Sequence, residues 1–199
     1  VHGLVHRDRG VEGVVRQKEY NLIVATYHAN SRNALPPPIG PHNTDGLLVF
    51  SDGLVDEDLA NLNESGFPMV LVHRTSPPPL AIPSVTVENM EITQQLVEHL
   101  IQVHGKRRIL FLRGPLHQED SVRREAGYKS ALATNGIPFD EKLVLNGDFE
   151  RDIAFRVLND FLSNGKRVAF DAVFTGDDDA AIGVLKALHL HGYRIPEDV

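Results

Sequence analysis

Short apolar runs of strand length recur along the chain and are separated by segments with helical spacing. The runs are continuous: Leu47–Phe50, Met69–Val72, Ile109–Leu112 and Ala172–Phe174. Continuous apolar runs, unlike alternating ones, are typical of strands in a parallel sheet that is covered on both faces. The sequence therefore predicts a set of buried parallel strands.

The segments between these runs carry the spacing of amphipathic helices. Their apolar positions are Ile92, Leu96, Leu100 and Val103; Tyr128, Ala131 and Leu132; Ile153, Val157 and Phe161 beside Ala154, Leu158 and Leu162; and Ala181, Leu185 and Leu188. Two of these helices have a clear predicted start, one near Asn89 and the other at Asp152. A glycine follows each helix, at positions 105, 136, 165 and 192, and supplies the left-handed residue that ends it.

Strands that alternate with helices through short turns predict right-handed crossovers and a doubly wound parallel sheet. Ligands of such sheets bind at the carboxyl ends of the strands. We therefore look for binding chemistry in the loops after Phe50, Val72, Leu112, Leu145 and Phe174.

Several segments lie outside this pattern. Two proline runs, Pro36–Pro38 and Pro77–Pro79, lack backbone donors and are predicted to be surface connections. The stretch from His6 to Gly10 joins an expected first strand to a first helix with almost no loop. A further strand is expected after Val199, so we expect the C-terminal part of the fold to be incomplete.

Bulk properties narrow the class of protein. The 199 residues suffice for one large domain or two small lobes. No apolar run approaches the roughly 18–20 residues needed to span a bilayer. The first residues lack the charged head and apolar core of a signal peptide, which favours the cytoplasm. We therefore expect no membrane partner.

Charge and cysteine usage exclude several functions. The net charge is −7, and an acidic surface repels a phosphate backbone, so we do not expect this chain to bind DNA by itself. The basic run Lys106–Arg108 is short, precedes a strand and is predicted to be a solvated turn. The absence of cysteine excludes disulfides, thiol catalysis and cysteine-based zinc sites.

The chain also lacks the motifs of common enzymes. Neither a phosphate-binding glycine loop nor a Gly-x-Ser-x-Gly elbow is present, so we predict no catalytic residues and no cofactor. Asp177–Asp179 precedes a helix, where one carboxylate should cap backbone amides and one should face a ligand. A metal site is the alternative, but the ligand pattern of a calcium loop is missing. His189 and His191 point apart on a helix, so no metal is predicted there.

Short motifs follow one another in a fixed order from about Tyr20 to the end. They are Thr44–Phe50, Gly66–Arg74, Ile82–Asn89, His99–Ile101, Gly105–Ile109, Arg113–Pro115, Ser121–Leu132, Gly147–Phe149, Asp171–Phe174 and Ile195–Val199. The first two are similar to the "VDGLIL" and "GIPVVLVDR" segments of bacterial transcription regulators of the lactose-repressor/galactose-repressor type. Ser121–Leu132 resembles their "S…R..GY..AL" pattern. The last segment, Ile195–Val199, resembles the regulators more than it resembles the related periplasmic sugar-binding proteins.

This resemblance implies a fold and a domain organisation. The family has two Rossmann-like α/β lobes, with parallel sheets flanked by helices, in the arrangement of type I periplasmic binding proteins. Residues 1–86 would form the N-terminal lobe and residues 87–199 an incomplete C-terminal lobe. A small effector binds in the cleft between the lobes. A helix-turn-helix domain, which nothing in this sequence resembles, usually precedes them and binds operator DNA.

The resemblance also implies a set of effector-binding residues. Arg124 lies where the family has its effector-binding arginine, three residues before Gly127. The N–H groups of its planar guanidinium can donate hydrogen bonds to two hydroxyls at once. Asp177 matches a position that faces the effector, which leaves Asp178 as the expected helix cap. Phe149 matches an aromatic residue that stacks on the bound molecule. The alternatives are a surface arginine and a core phenylalanine.

Three further residues are candidates for effector binding. His73 ends a strand at a position where the family usually has aspartate, and its imidazole changes charge near neutrality, so it leaves the identity of the effector open. Ser51 follows Phe50, and Ser121 precedes the arginine on its helix. Their hydroxyls are predicted to contact the effector or, alternatively, to cap a helix or turn.

We interpret the chain as the effector-binding domain of a cytoplasmic, homodimeric regulator, and not as an enzyme. The effector would be a carbohydrate or a nucleoside-like or purine molecule, and lobe closure would act on operator DNA through the separate head. The main alternative is a periplasmic sugar-binding protein of a transport system. An enzyme on the same sheet is a third possibility, because the fold alone does not fix the function.

Overall fold

The structure is a computed structural model that describes residues 4–26, 39–51, 53–163 and 169–199. It contains two compact units. The first runs to Val70 and includes Pro77–Ile82, and the second combines Leu71–Ser76 with Pro83–Val199. The lobe boundary at residue 86 that the sequence suggested stays a prediction.

The first unit contains helix α1 (Leu4–Gln17), strand β1 (Leu47–Phe50), helix α2 (Asp56–Glu64) and the beginning of strand β2 (Met69–Val72). Its buried apolar side chains include those of Val49, Leu54, Leu59 and Met69. The expectation of a strand before His6 is wrong, because α1 already begins at Leu4 and runs through Gly10. Within α1, Val11 and Val15 lie four residues apart, which is the spacing of one helical face.

Strand β2 extends into the second unit and pairs there with the short strand β3 (Ser84–Val85). The pairing is parallel, with Leu71 opposite Ser84 and Val72 opposite Val85, and the sheet order is β1-β2-β3. The connection between β2 and β3 contains Pro77–Pro79, a surface segment as predicted, in which Pro78 and Pro79 form an exposed turn and Pro77 is partly buried. The other proline run, Pro36–Pro38, lies outside the described residues.

The second sheet consists of β4 (Ile109–Arg113), β5 (Val144–Asn146) and β6 (Ala172–Thr175), in the order β5-β4-β6. Both pairings are parallel, which confirms the prediction made from the continuous apolar runs. The central strand β4 is fully covered: Ile109, Leu110, Phe111 and Leu112 are each at most 1% exposed.

Helices cover this sheet on both faces. They are α3 (Asn89–Gln102), α4 (Glu119–Thr134), α5 (Arg151–Ser163) and α6 (Asp178–Leu190), with a 3₁₀ turn at Glu141–Leu143. Leu110 and Leu112 pack in one apolar cluster with residues of α5 and α6, whereas Ile109 and Phe111 pack in another with residues of α3 and α4. The doubly wound arrangement is therefore confirmed for this sheet. Within the described ranges, no helix is long and apolar enough to cross a bilayer.

The helix ends agree with the sequence, and so does the buried row of α4, where Tyr128, Ala131 and Leu132 are at most 3% exposed. Gly105, Gly136 and Gly192 have positive φ angles after α3, α4 and α6, as expected, while Gly165 lies outside the described residues. The apolar row predicted for α3 is wrong, because Ile92, Leu96 and Val103 are at least half exposed. The buried row lies one position later along the helix and consists of Asn89, Thr93, Val97 and Ile101.

The reason for this shift is the close approach of α3 to α4. A Cβ atom on Gly127 of α4 would overlap the carbonyl oxygen of Met90 and lie 3.0 Å from Cβ of Thr93. Only a glycine lets the two backbones come this close, and the contact turns the Thr93 row of α3 towards α4. A similar contact links α6 to α5, where a Cβ atom on Gly183 would overlap the carbonyl oxygen of Arg151.

We expect the substitution Gly127→Ala to destabilise the protein by about 1–3 kcal/mol, because the added methyl group must push the two helices apart. Urea unfolding followed by circular dichroism measures this change. Gly13→Ala in α1 is the matched control: no described atom lies within 4 Å of the added Cβ, so this variant should unfold at the same or a higher urea concentration. Equal midpoints for Gly127→Ala and the wild type would contradict the packing argument.

Candidate functional site

The loops at the carboxyl ends of β4, β5 and β6 bring together several of the residues singled out in the sequence. Phe149 follows β5, Asp177 follows β6, and Arg124 reaches this edge from the second turn of α4. The edge belongs entirely to the second compact unit. The sequence therefore identified the side chains that meet at this edge of the sheet.

The side chain of Arg124 is held by several contacts. Its Nε donates a hydrogen bond of 2.7 Å to Oδ1 of Asn89, and its Nη1 donates to the carbonyl oxygen of Gly176. Nη2 lies 4.0 Å from a carboxylate oxygen of Asp120, and the side chain is 22% exposed. Arg124 is therefore not an ordinary surface arginine, which was the alternative interpretation.

The ring of Phe149 occupies a niche between two glycines. A Cβ atom on Gly114, after β4, or on Gly176, after β6, would overlap this ring. The guanidinium carbon of Arg124 lies 5.3 Å from the ring centroid, within the range of a cation–π contact. Phe149 and the preceding Asp148 both have positive φ angles, of 57° and 51°, which non-glycine residues adopt rarely.

Asp177 is the residue that caps α6, a role that the sequence predicted for Asp178. Its Oδ1 accepts a hydrogen bond of 3.0 Å from the amide of Ala180, so Asp177 is the N-cap of α6. The expectation that Asp178 is the cap is wrong, because Asp178 is the first residue of the helix and its Oδ1 accepts from the amide of the adjacent Asp179. Asp177 has the extended backbone that an N-cap requires, whereas Asp178 already lies in the helix.

The surroundings of Asp177 also change its acidity. Burial raises the pKa of the Asp177 carboxyl, and the nearby charges of Asp178 and Asp179 raise it further. The amide of Ala180 and the charge of Arg124 act in the opposite direction without cancelling these effects. The carboxylate therefore lies in surroundings that disfavour additional negative charge.

His73 is connected to the same group of side chains through Asp120. Its Nδ1 lies 3.0 Å from Oδ2 of Asp120, and its backbone amide donates to the carbonyl of Val85. Its φ angle is 60°, so the residue after β2 adopts a conformation that a histidine rarely occupies. Two residues later, the amide and hydroxyl of Thr75 both donate to Oε2 of Glu119, at 2.7 and 2.9 Å.

Sequence reasoning missed two residues that connect this group. Asn89 is only 4% exposed, and its Nδ2 donates 2.8 Å to Oδ1 of Asp120 while its Oδ1 accepts from Arg124. Asp120 thus accepts from Asn89 with one oxygen and contacts His73 with the other. One signal was available: Asp120 and Arg124 are four residues apart and so lie on the same face of α4. Asn89 gave no comparable signal, because it marked only the start of a helix.

The two serine candidates lie in different surroundings. Ser121, in the first turn of α4, is 1% exposed, and its hydroxyl has no hydrogen-bond partner among the described residues. Ser51 follows β1 in the first compact unit. A role for either hydroxyl in effector binding stays a prediction.

A hollow in the surface lies beside this group, next to the loops after β4 and β5. Its lining includes Leu116, His117, Asp148 and Glu150, but neither Arg124 nor Asp177. Among the residues that the structure describes, no group of three or more histidine, aspartate or glutamate side chains could hold a metal ion. The Asp177–Asp179 run is accounted for by hydrogen bonds to backbone amides and by an ion pair of Asp179 with Arg151.

Known proteins resemble this chain along most of its length. CelR, an HTH-type transcriptional regulator from Thermobifida fusca, is 31% identical over 196 residues, which cover 96% of this chain and 56% of CelR. Catabolite control protein A from Priestia megaterium is 27% identical over 198 residues, 96% of this chain and 57% of that protein. The crystal structure of the transcription regulator CcpA of Lactococcus lactis matches with a TM-score of 0.74 at 26% identity and covers 96% of this chain and 69% of that one.

These relatives extend beyond the present sequence, since the chain spans about half the length of the curated relatives it matches. The sequence profile described as "Periplasmic binding proteins and sugar binding domain of LacI family" matches residues 19–199. This match includes every strand of both sheets. It also includes the side chains that meet around Arg124, which we call the Arg124 group: Arg124, Phe149, Asp177, Asn89, Asp120 and His73. The chain therefore belongs to the family of periplasmic binding proteins and LacI-type sugar-binding domains.

Proposed function

We propose that this chain is the effector-binding part of a transcriptional regulator and binds a small polar molecule at the carboxyl edge of the β5-β4-β6 sheet. The observation that carries the proposal is the convergence of Arg124, Phe149 and Asp177 at this edge from three separate segments. None of the three is needed there to form the apolar clusters of the fold.

The three side chains together suit a carbohydrate. A sugar presents hydroxyl groups in fixed directions and an apolar C–H face, and it needs donors, acceptors and a flat apolar surface. Arg124 supplies donors, the carboxylate of Asp177 supplies an acceptor and Phe149 supplies the flat surface. The family description, which includes sugar-binding domains, favours a carbohydrate. A nucleoside or purine, which would also use the aromatic ring, belongs in the same binding screen.

The names of the relatives support a regulator rather than a transport protein or an enzyme. Both curated relatives described above are named as regulatory proteins, and CelR is named as HTH-type. The acidic net charge of −7 suits a domain that leaves DNA contact to a separate head. For the whole protein we infer a cytoplasmic homodimer that binds operator DNA through such a head. We also propose that His73, Ser51 and Ser121 make additional contacts with the effector.

The effector would act by binding one conformation of the regulator more tightly than the other. A ligand shifts a conformational equilibrium only by its difference in affinity for the two states. A coupling of about 1–3 kcal/mol is typical and changes the affinity for DNA by roughly 5- to 150-fold. The Asp120 carboxylate offers a route for such coupling, because it contacts both His73 and the Asn89 amide that binds Arg124.

We expect Arg124→Ala to weaken binding of the best ligand about 10- to 100-fold, which is the range for a lost hydrogen bond to a charged group. Isothermal titration calorimetry with a panel of sugars, nucleosides and purines identifies that ligand and measures the loss. Arg156→Ala, which removes an exposed arginine from α5, should bind like the wild type. An unchanged affinity in Arg124→Ala, with an unaltered circular dichroism spectrum, would refute the assignment of the site.

Ligand affinity should also depend on the ionisation of Asp177. The ionised carboxylate accepts stronger hydrogen bonds than the protonated acid, so affinity is full above its pKa and falls as the pH drops through it. Because burial raises the pKa of Asp177, this loss begins at a higher pH than for an ordinary aspartate.

The test is to titrate the same ligand between pH 7 and about pH 4, the ordinary pKa of an aspartate, in the wild type and in Asp177→Asn. The ratio of the two affinities should fall towards acid pH, because the asparagine does not titrate. All other side chains are the same in both proteins, so pH effects that both share cancel in the ratio. A ratio that stays constant over this range would show that Asp177 is not an acceptor for the ligand.

A further inference from the structure

We propose that the effector of this chain carries no phosphate or carboxylate group and is a non-anionic polyhydroxylated molecule. This inference rests on the proposed function and narrows the class of ligand that the Arg124 group accepts. Three observations support it. The arginines of this edge already have polar partners, the helix N-termini already carry carboxylates, and the remaining charged side chains are acidic.

The arginines at the carboxyl edge are already paired with carboxylates. Arg113, the last residue of β4, lies 2.9 Å from Glu125, and Arg151, the first residue of α5, lies 2.7 Å from Asp179. Arg124 donates to Asn89 and to the carbonyl of Gly176, and it has Asp120 nearby. These partners already offset much of the positive charge that would attract an anionic ligand, whereas the remaining N–H donors of Arg124 can still bind hydroxyl groups.

The helix N-termini around Arg124 are occupied as well. The N-terminus of a helix is a common site for phosphates and carboxylates, because its free amides and its dipole attract negative charge. In α3, Glu88 accepts from the amides of Met90 and Glu91. In α6, Asp177 accepts from Ala180. The first turn of α4 contains Glu119 and Asp120. Each helix thus brings its own carboxylates to the place where a ligand anion would bind.

The remaining charge at this edge is negative. Asp178 and Asp179 lie next to Asp177: burial raises the pKa of Asp177, and the charges of these two neighbours raise it further. The hollow beside Phe149 also contains two acids, Asp148 and Glu150. A phosphate or carboxylate placed against Asp177 would be repelled, whereas a hydroxyl group can donate to it. The site therefore favours ligands that offer hydroxyl hydrogens and no negative charge.

The experiment compares neutral and anionic members of matched pairs on the full chain. The pairs are galactose with galacturonate, glucose with glucose 6-phosphate, and adenosine with AMP, and inorganic phosphate is tested alone. Thermal unfolding at equal ligand concentrations ranks the ligands, since a ligand present at 100 times its Kd raises Tm by about 5–10 °C for a chain of this size. Titration calorimetry then gives the Kd values.

We expect at least one neutral member to stabilise the wild type, its anionic partner to bind at least tenfold more weakly, and inorganic phosphate to leave Tm unchanged. Equal or tighter binding of the anionic member, or stabilisation by inorganic phosphate that is lost in Arg124→Ala, would overturn this inference while leaving the proposed function intact. If no member of any pair binds, the proposed function fails and this inference fails with it.

Two variants test the electrostatic cause. Asp177→Asn removes one negative charge but keeps an oxygen for the cap of α6, so it should reduce the preference for the neutral member several-fold. Asp160→Asn makes the same change of net charge at an exposed position of α5 and should leave the preference as in the wild type. An unchanged preference in Asp177→Asn, or an equal reduction in both variants, would contradict the proposed role of Asp177.

Discussion

The burial of β4 on both faces is the constraint on which the second unit depends. Alternate residues of this strand belong to two different apolar clusters, one with α3 and α4 and the other with α5 and α6. Each helix pair is joined at a glycine that admits a carbonyl oxygen of the neighbouring helix, Gly127 in one pair and Gly183 in the other. Helices packed at backbone distance have little freedom to slide, so the loops at the carboxyl edge start from fixed positions.

A few hydrogen bonds hold the polar side chains at that edge in place against the helices and the sheet. Arg124 comes from α4, Asn89 from the start of α3, and Gly176 from the loop after β6, and the contacts of the guanidinium join all three. Because Asn89 is almost fully buried and also donates to Asp120, it fixes the direction in which Arg124 points. The position of Arg124 thus depends on a buried residue from a different helix.

The sequence predicted the strands and the edge of the sheet well, because both follow from short-range patterns. Continuous apolar runs indicated buried parallel strands, and the loops after β1, β2, β5 and β6 each held a candidate residue. The sequence did not predict which row of α3 is buried. Leu96 and Val97 both fit a helical repeat, and the choice between them depends on the contact with Gly127, which is far away in the sequence. Asn89 was missed for the same reason, since its partners Asp120 and Arg124 are more than thirty residues away.

The niche that holds Phe149 restricts how this site can be altered. Gly114 and Gly176 leave no room for a side chain beneath the ring, and both follow strands of the same rigid sheet. A larger residue at either glycine would therefore displace the ring. Substitution of a neighbouring polar residue such as Asp177 would instead alter the polar contacts of this edge without displacing the aromatic surface.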